Sequence, residues 1–101
     1  MPEPILPDIG EAVEEEVTHA PLYRVLIHND DVTPMDFVLH ILRTVFLLSP
    51  VQAVQVMYTA HYHGIAYVQT LPKSEAQKRV GMAHFSARLR RFPLSFTLEA
   101  E

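Results

Sequence analysis

The chain has 101 residues, enough for one domain, and is 49% apolar and 20% charged, the balance of a water-soluble fold with a modest core. It contains no cysteine, which excludes disulfides, thiol nucleophiles and thiolate metal sites, and no apolar run approaches the roughly 18 residues of a membrane span. Residues 1–16 carry six acids and no base, whereas the rest holds six acids and all eight bases within an overall charge of −4; so small a basic excess argues against a general nucleic-acid binder.

Residues 1–21 include Pro2, Pro4, Pro7 and Pro21 beside the acid run, and are expected to form a mobile tail before a folded unit at 22–101. Being acidic, this start is read as neither a signal nor a transit peptide, which suits a cytoplasmic location. Leu22–Ile27 is predicted as a strand, being aromatic and β-branched and bounded by Pro21 and a polar loop. Thr33, Pro34 and Asp36 have the spacing of a capping box with proline at the first helical position, opening an amphipathic helix to about Leu48 with Val38, Ile41, Leu42, Val45, Phe46 and Leu48 on its buried face.

Ser49-Pro50-Val51-Gln52 is a second capping box, opening a helix of about 14 residues that Gly64 stops. Ile65–Thr70 is predicted as a strand broken by Leu71-Pro72. A third helix follows from Lys73 to about Arg91, with Ala76, Val80, Ala83 and Ala87 as a small-residue stripe for close packing. The cations at its end suit the helix dipole or a docking surface. Leu94–Glu99 alternates as a last strand. The expected class is α+β, order β-αα-β-α-β, with a three-stranded antiparallel sheet packed on helices.

Asn29, Asp30 and Asp31 cluster where the first strand ends and the first helix begins, a place where rigid elements hold a short loop. Met57, Ala60 and His61 share one face of the second helix at i, i+3 and i+4. If that face meets the loop, an apolar hole is rimmed by an amide, a carboxylate and an imidazole. Three acceptors match the three donors of an ammonium group, so a free amino terminus with a large apolar first side chain fits. An acceptor role for His61 implies that binding weakens once acid protonates the ring.

Taken singly, Asn29 and Asp31 read as turn residues, Asp30 as solvated or bracing the loop, His61 as a core histidine, and Met35 and Met57 as core filler. A zinc site from His28, His61, His63 and Asp31 is disfavoured because residues two apart on a helix diverge. No metal or cofactor is expected. An acid–base enzyme using Asp30 and Asp31 lacks a nucleophile, a glycine-rich phosphate loop or a second catalytic cluster.

Taken together, Tyr23-Arg24-Val25-Leu26, Asn29-Asp30-Asp31, Thr33-Pro34-Met35, Phe37-Val38, Met57, His61 with Gly64, Ala87-Arg88, Pro93-Leu94 and Thr97-Leu98-Glu99 resemble the ClpS adaptor family over residues 22–99. The resemblance implies a non-enzymatic adaptor that binds N-degron substrates beginning with Leu, Phe, Tyr or Trp and delivers them to a ClpA- or ClpC-type AAA+ unfoldase of the ClpP peptidase. Carried across, Asn29, Asp31 and His61 would hold the α-amino group. Ile27, Thr33, Met35, Val38, Met57, Ala60 and Leu94 would form the side-chain pocket, with Met35 as a gate against β-branched first residues. Glu75 and Arg79 would belong to the unfoldase-docking surface, and the tail would assist handover. Neither nucleic acid nor membrane is an expected partner.

The departures are informative. Val32 stands where the family usually has an aromatic residue, and Pro72 where it has threonine; the acid at Glu75 falls one place late, while Arg79 keeps a basic position. Ala60 stands where a β-branched residue is common and should leave a larger hole, favouring Trp or relaxing discrimination. The competing reading is a passive protein-interaction domain of similar fold, which would not need Asn29, Asp31 and His61 together.

Overall fold

The structure, a computed structural model, describes residues 21–101; the expected tail at 1–20 lies outside the described residues. The elements are β1 (Leu22–His28), α1 (Met35–Thr44), α2 (Pro50–His63), β2 (Ile65–Pro72), α3 (Lys73–Leu89) and β3 (Ser95–Ala100). This is the α+β order read from the sequence. β1 lies in the middle of the sheet, antiparallel to both neighbours in the order β2-β1-β3. Its alternation explains the layering: Val25 and Ile27 are buried, while Arg24, Leu26 and His28 face the opposite side. The three helices cover the Val25 face, where Phe37, Ile41, Leu42, Phe46, Met57 and Phe96 join the core. The opposite face carries an Arg24–Glu99 ion pair and a His28–Thr97 hydrogen bond of 2.7 Å.

β2 runs two residues further than expected. Pro72 pairs opposite Leu22 at the end of an edge strand, where a missing N–H does not break a central ladder. The register slips between Val25 and Leu26, which pair with Gln69 and Tyr67. Val68 is the extra residue of a bulge, so Val68 and Gln69 both turn toward the helices. Gln69 there donates to the Phe46 carbonyl (3.0 Å) and accepts from Arg79 (3.2 Å).

The first helix differs from expectation at both ends. It starts at Met35 with Pro34 as the N-cap residue and no side-chain cap, so the Thr33–Asp36 capping box does not form. The reason is competition for donors. Asp30, lying behind Thr33, accepts from the Val32 amide (2.8 Å), the Thr33 amide (2.6 Å) and the Thr33 hydroxyl (2.9 Å). The helix ends at Thr44, not Leu48. Leu47 takes a left-handed φ of 58° and points outward, which turns Phe46 and Leu48 into the core. Strain of about 1–2 kcal/mol at such a residue is offset by burying two large side chains.

The second helix matches its reading. Ser49 Oγ accepts from the Gln52 amide, the Gln52 side chain accepts from the Ser49 amide, and Gly64 closes the helix at φ 85°. The Asn29 amide then donates to the Gly64 carbonyl at 2.9 Å, tying the end of α2 to the end of β1.

The third helix buries Ala76, Ala83 and Ala87 completely, as its small-residue stripe predicts. It ends two residues early, and Arg88 does more than complement the dipole: its guanidinium donates to the Phe92 and Leu94 carbonyls (2.7 and 3.0 Å). His84 accepts the Phe96 amide at 2.9 Å, joining α3 to β3; burial and the nearby Arg88 charge push its imidazole down.

A Cβ on Gly64 would meet nothing within 4 Å, so Gly64→Ala isolates the cost of the left-handed backbone. We expect a loss of about 1–2 kcal/mol in urea unfolding; an unchanged midpoint would show that α2 can end another way.

Burial pushes the Asp30 carboxyl up, but the Thr33 and Val32 amides, the Thr33 hydroxyl and the Arg88 charge outweigh it and hold it below 3.8. Asp30→Ala should therefore cost about 1–3 kcal/mol at neutral pH. A carboxyl more acidic when folded contributes stability that is present above pH 3.8 and lost as pH falls through the lower folded value. The gap between the two proteins should close in acid; a gap constant down to about pH 2 would remove the carboxylate from this role.

Candidate functional site

The end of β1, the β1–α1 loop, the start of α1, the last two turns of α2 and Leu94 enclose a cavity of about 250 Å³. It is smaller than the roughly 300–1,000 Å³ of a drug-sized ligand site and suits one large side chain. Its walls include Ile27, Thr33, Met35, Val38, Met57, Ala60 and Leu94, every residue expected there, together with Asn29, Asp31 and His61. His28 and Asp30 also border it, contiguous with the loop although neither is among the pocket residues expected from the sequence.

Each wall has a local cause. Alternation on β1 turns Ile27 inward, and the helical repeat of α2 brings Met57, Ala60 and His61 to one side. Ile27, Met57, Ala60 and Leu94 are buried and form the apolar depth; Met35 is 41% exposed at the entrance. Leu94 is held from behind, since Arg88 bonds its carbonyl and Phe92 packs edge-on against Phe37 at a centroid distance of 5.0 Å. Asp30 is turned back into its own loop, which leaves Asn29 and Asp31 exposed on either side of it.

The rim is a set of acceptors. Asn29 and Asp31 lie on the loop, and His61 lies exposed on the last turn of α2. The Asn29–Gly64 bond joins these two segments directly. An apolar depth beneath an amide, a carboxylate and an imidazole can receive a cationic donor attached to an apolar group. Among the described residues no group of three His, Cys, Asp or Glu side chains is arranged to hold a metal. His28 of the zinc alternative is hydrogen-bonded to Thr97 instead.

Glu75 and Arg79 do not reach the cavity. They pair with each other on α3 at 2.8 Å, which holds the Glu75 carboxyl below its ordinary range. A wider depression of about 480 Å³ lies on the open sheet face among Arg24, Tyr67, Thr70 and Glu99. Its polar groups already satisfy one another, through Arg24–Glu99 and a 2.7 Å Tyr67–Thr70 hydrogen bond. It therefore offers fewer groups to a ligand. No helix among the described residues is long and apolar enough to cross a membrane.

The family model described as ATP-dependent Clp protease adaptor protein ClpS matches residues 18–97. The ATP-dependent Clp protease adapter protein ClpS of Roseobacter denitrificans is 39% identical over 90 residues, covering 89% of this chain and 80% of that protein. The protein of the same description from Nitratidesulfovibrio vulgaris is 37% identical over 98 residues, covering 93% and 98%. Agrobacterium tumefaciens ClpS2, solved bound to L-phenylalaninamide, superposes with a TM-score of 0.78 at 37% identity, covering 82% of this chain and all of that one. Proteins of this kind are adaptors rather than enzymes. Fold, motif string and relatives agree that the chain belongs to the ClpS family of ATP-dependent Clp protease adaptor proteins.

Proposed function

We propose that the 250 Å³ cavity receives the first residue of an N-degron substrate, Leu, Phe, Tyr or Trp, and that Asn29, Asp31 and His61 hold its free α-amino group. The observation that carries this is the cavity itself: an apolar depth of one side chain's size beneath three acceptors. The ligand of the Agrobacterium relative supports it, because phenylalaninamide is a free α-amine beside a benzyl group. In this reading Ile27, Val38, Met57, Ala60 and Leu94 line the side-chain pocket and Thr33 rims it. Met35 stands over the opening and crowds a substrate branched at Cβ.

The captured protein passes to the AAA+ unfoldase of a Clp protease, of ClpA or ClpC type, in the cytoplasm. Glu75 and Arg79, on a surface apart from the pocket, contribute to that docking, and the acidic residues 1–21 assist the handover.

Magnitudes agree with a module that must also release. Charge-assisted hydrogen bonds contribute about 1.5–3 kcal/mol each, and burying a Leu or Phe side chain adds about 1.5–3. Association costs at least about 4. The remainder, at most about 8 kcal/mol when three such bonds form, reaches micromolar affinity at its upper end and is weaker below it.

Acetylation removes the ammonium charge and two of its donors. A fluorescent peptide beginning with free Phe should bind about 100-fold or more tightly than its N-acetylated form, and Asp31→Ala should weaken the free peptide about 10- to 150-fold. Equal affinities for the free and acetylated peptides would leave only a passive interaction domain.

Ala60→Val adds two carbons to the wall of the cavity. It should weaken Trp-initiated peptides by about tenfold relative to Leu-initiated ones; an unchanged ranking would mean that residue 60 does not set pocket size.

A further inference from the structure

The pocket opens onto a groove that the first substrate residue does not use. α1 and α2 pack side by side in opposite directions. The start of α1 meets the end of α2 around the cavity, whereas Arg43, near the end of α1, meets Pro50 at the start of α2. Met35, Leu39 and Arg43 recur every four residues and form one row along the edge of α1. Pro50, Val54 and His61, at intervals of four and seven, form the facing row on α2. At one end Met35 and His61 border the pocket. Further along, Leu39, Arg43, Pro50 and Val54 line a separate depression of about 480 Å³.

This groove is apolar in its middle. Leu39 and Val54 face each other there, and Tyr58, one turn beyond Val54 and stacked on Tyr62, extends the outer wall. From Thr44 to Pro72 the chain carries no Lys, Arg, Asp or Glu, so the α2 side presents no formal charge. On the α1 side Asp36 and Arg43 offset each other. A charged side chain would give up water here for little return, whereas an apolar one gains by burial.

The spacing points to an occupant. With the amino group at the acceptor rim and the first side chain in the cavity, the rest of the substrate leaves across the mouth, where Met35 and His61 begin the two rows. An extended peptide advances about 3.3 Å per residue and turns alternate side chains to one face, so residues 1 and 3 point the same way about 6.6 Å apart. One step of four residues along α1, from Met35 to Leu39, advances about 6 Å. The third residue therefore reaches Leu39 and Val54 with its side chain turned toward them, and the second faces solvent.

We propose that this chain reads the third substrate residue as well as the first: the α1–α2 groove takes an apolar side chain at that position, seated on Leu39 and Val54. The proposal rests on the amino-terminus reading of the pocket. It makes the recognised element two large apolar residues flanking one unselected position.

Fluorescent peptides beginning with free Phe test it on the full-length protein. Phe-Ser-Leu should bind about fivefold or more tightly than Phe-Ser-Ser, whereas Phe-Leu-Ser should match Phe-Ser-Ser. Val54→Gln should remove the advantage of Leu at the third position and leave Phe-Ser-Ser unchanged; Leu39→Gln should do the same from the other wall. An affinity indifferent to the third residue, an equal gain from Leu at the second, or an advantage that survives both substitutions would overturn the proposal. N-acetylated forms of the same peptides separate the two readings. Equal binding of free and acetylated peptides would overturn the amino-terminus reading and this proposal together, whereas a free-amine requirement with a flat third position would overturn the groove alone.

Discussion

The hydrogen bond from the Asn29 amide to the Gly64 carbonyl is the contact on which the site depends. It joins two segments that sequence separates by 35 positions, the exit of β1 and the stop of α2. For the bond to exist, α2 must end at a residue able to turn left-handed, and Gly64 does so at φ 85°. The helix then presents Met57, Ala60 and His61 just upstream of that turn. The loop presents Asn29 and Asp31 just downstream of β1. Both halves of the rim are therefore fixed within a few residues of one backbone contact. Exposed polar side chains do not hold such a geometry on their own, because each would cost conformational entropy to order.

Support around this contact is layered. Asp30 gathers three donors from Val32 and Thr33, so the loop keeps its shape without a helix cap. Behind the cavity, Arg88 bonds two carbonyls of the α3–β3 connection, and Phe92 packs on Phe37. These place Leu94 as a rigid wall. The Arg88 charge is also the smallest of the influences that lower the Asp30 carboxyl, after the Thr33 and Val32 hydrogen bonds.

The distribution of charge follows the same division of labour. Acceptors collect at the mouth of the pocket, while cations collect along α3, on a different part of the surface. If the pocket receives an amino terminus as proposed, keeping that acceptor rim apart from the basic α3 surface separates the two contacts an adaptor must make. A field of one sign then does not weaken the other.

Much of the fold was legible because local rules agreed. The alternation of β1, the capping box at Ser49, the glycine stop of α2 and the alanine stripe of α3 each carry their own sequence signal. The pocket residues were legible for a different reason. The Asn29-Asp30-Asp31 string, His61 with Gly64, and Pro93-Leu94 form a familiar combination, whereas each of these residues alone reads as a turn or core position. The errors share one cause. Thr33 has the spacing of a cap, but Asp30 takes its donors first. Phe46 and Leu48 continue a helical pattern, but they reach the core through a left-handed Leu47 rather than along a helix. Pro72 ends most strands, but not one on a sheet edge. In each case two local solutions were available, and a neighbour chose between them.

The sequence by itself thus determined the element order, the sheet-facing sides and the chemical inventory of the site, since period, capping and composition are local properties. Only the tertiary structure decided that Asp30 braces the loop while Asn29 and Asp31 remain at the mouth, that Val68 and Gln69 share a face across a bulge, and that the Arg88 guanidinium reaches across to hold Leu94. Those outcomes depend on which donor meets which acceptor between segments distant in sequence. That pairing is settled by the shape of the packed core, not by any local pattern of residues.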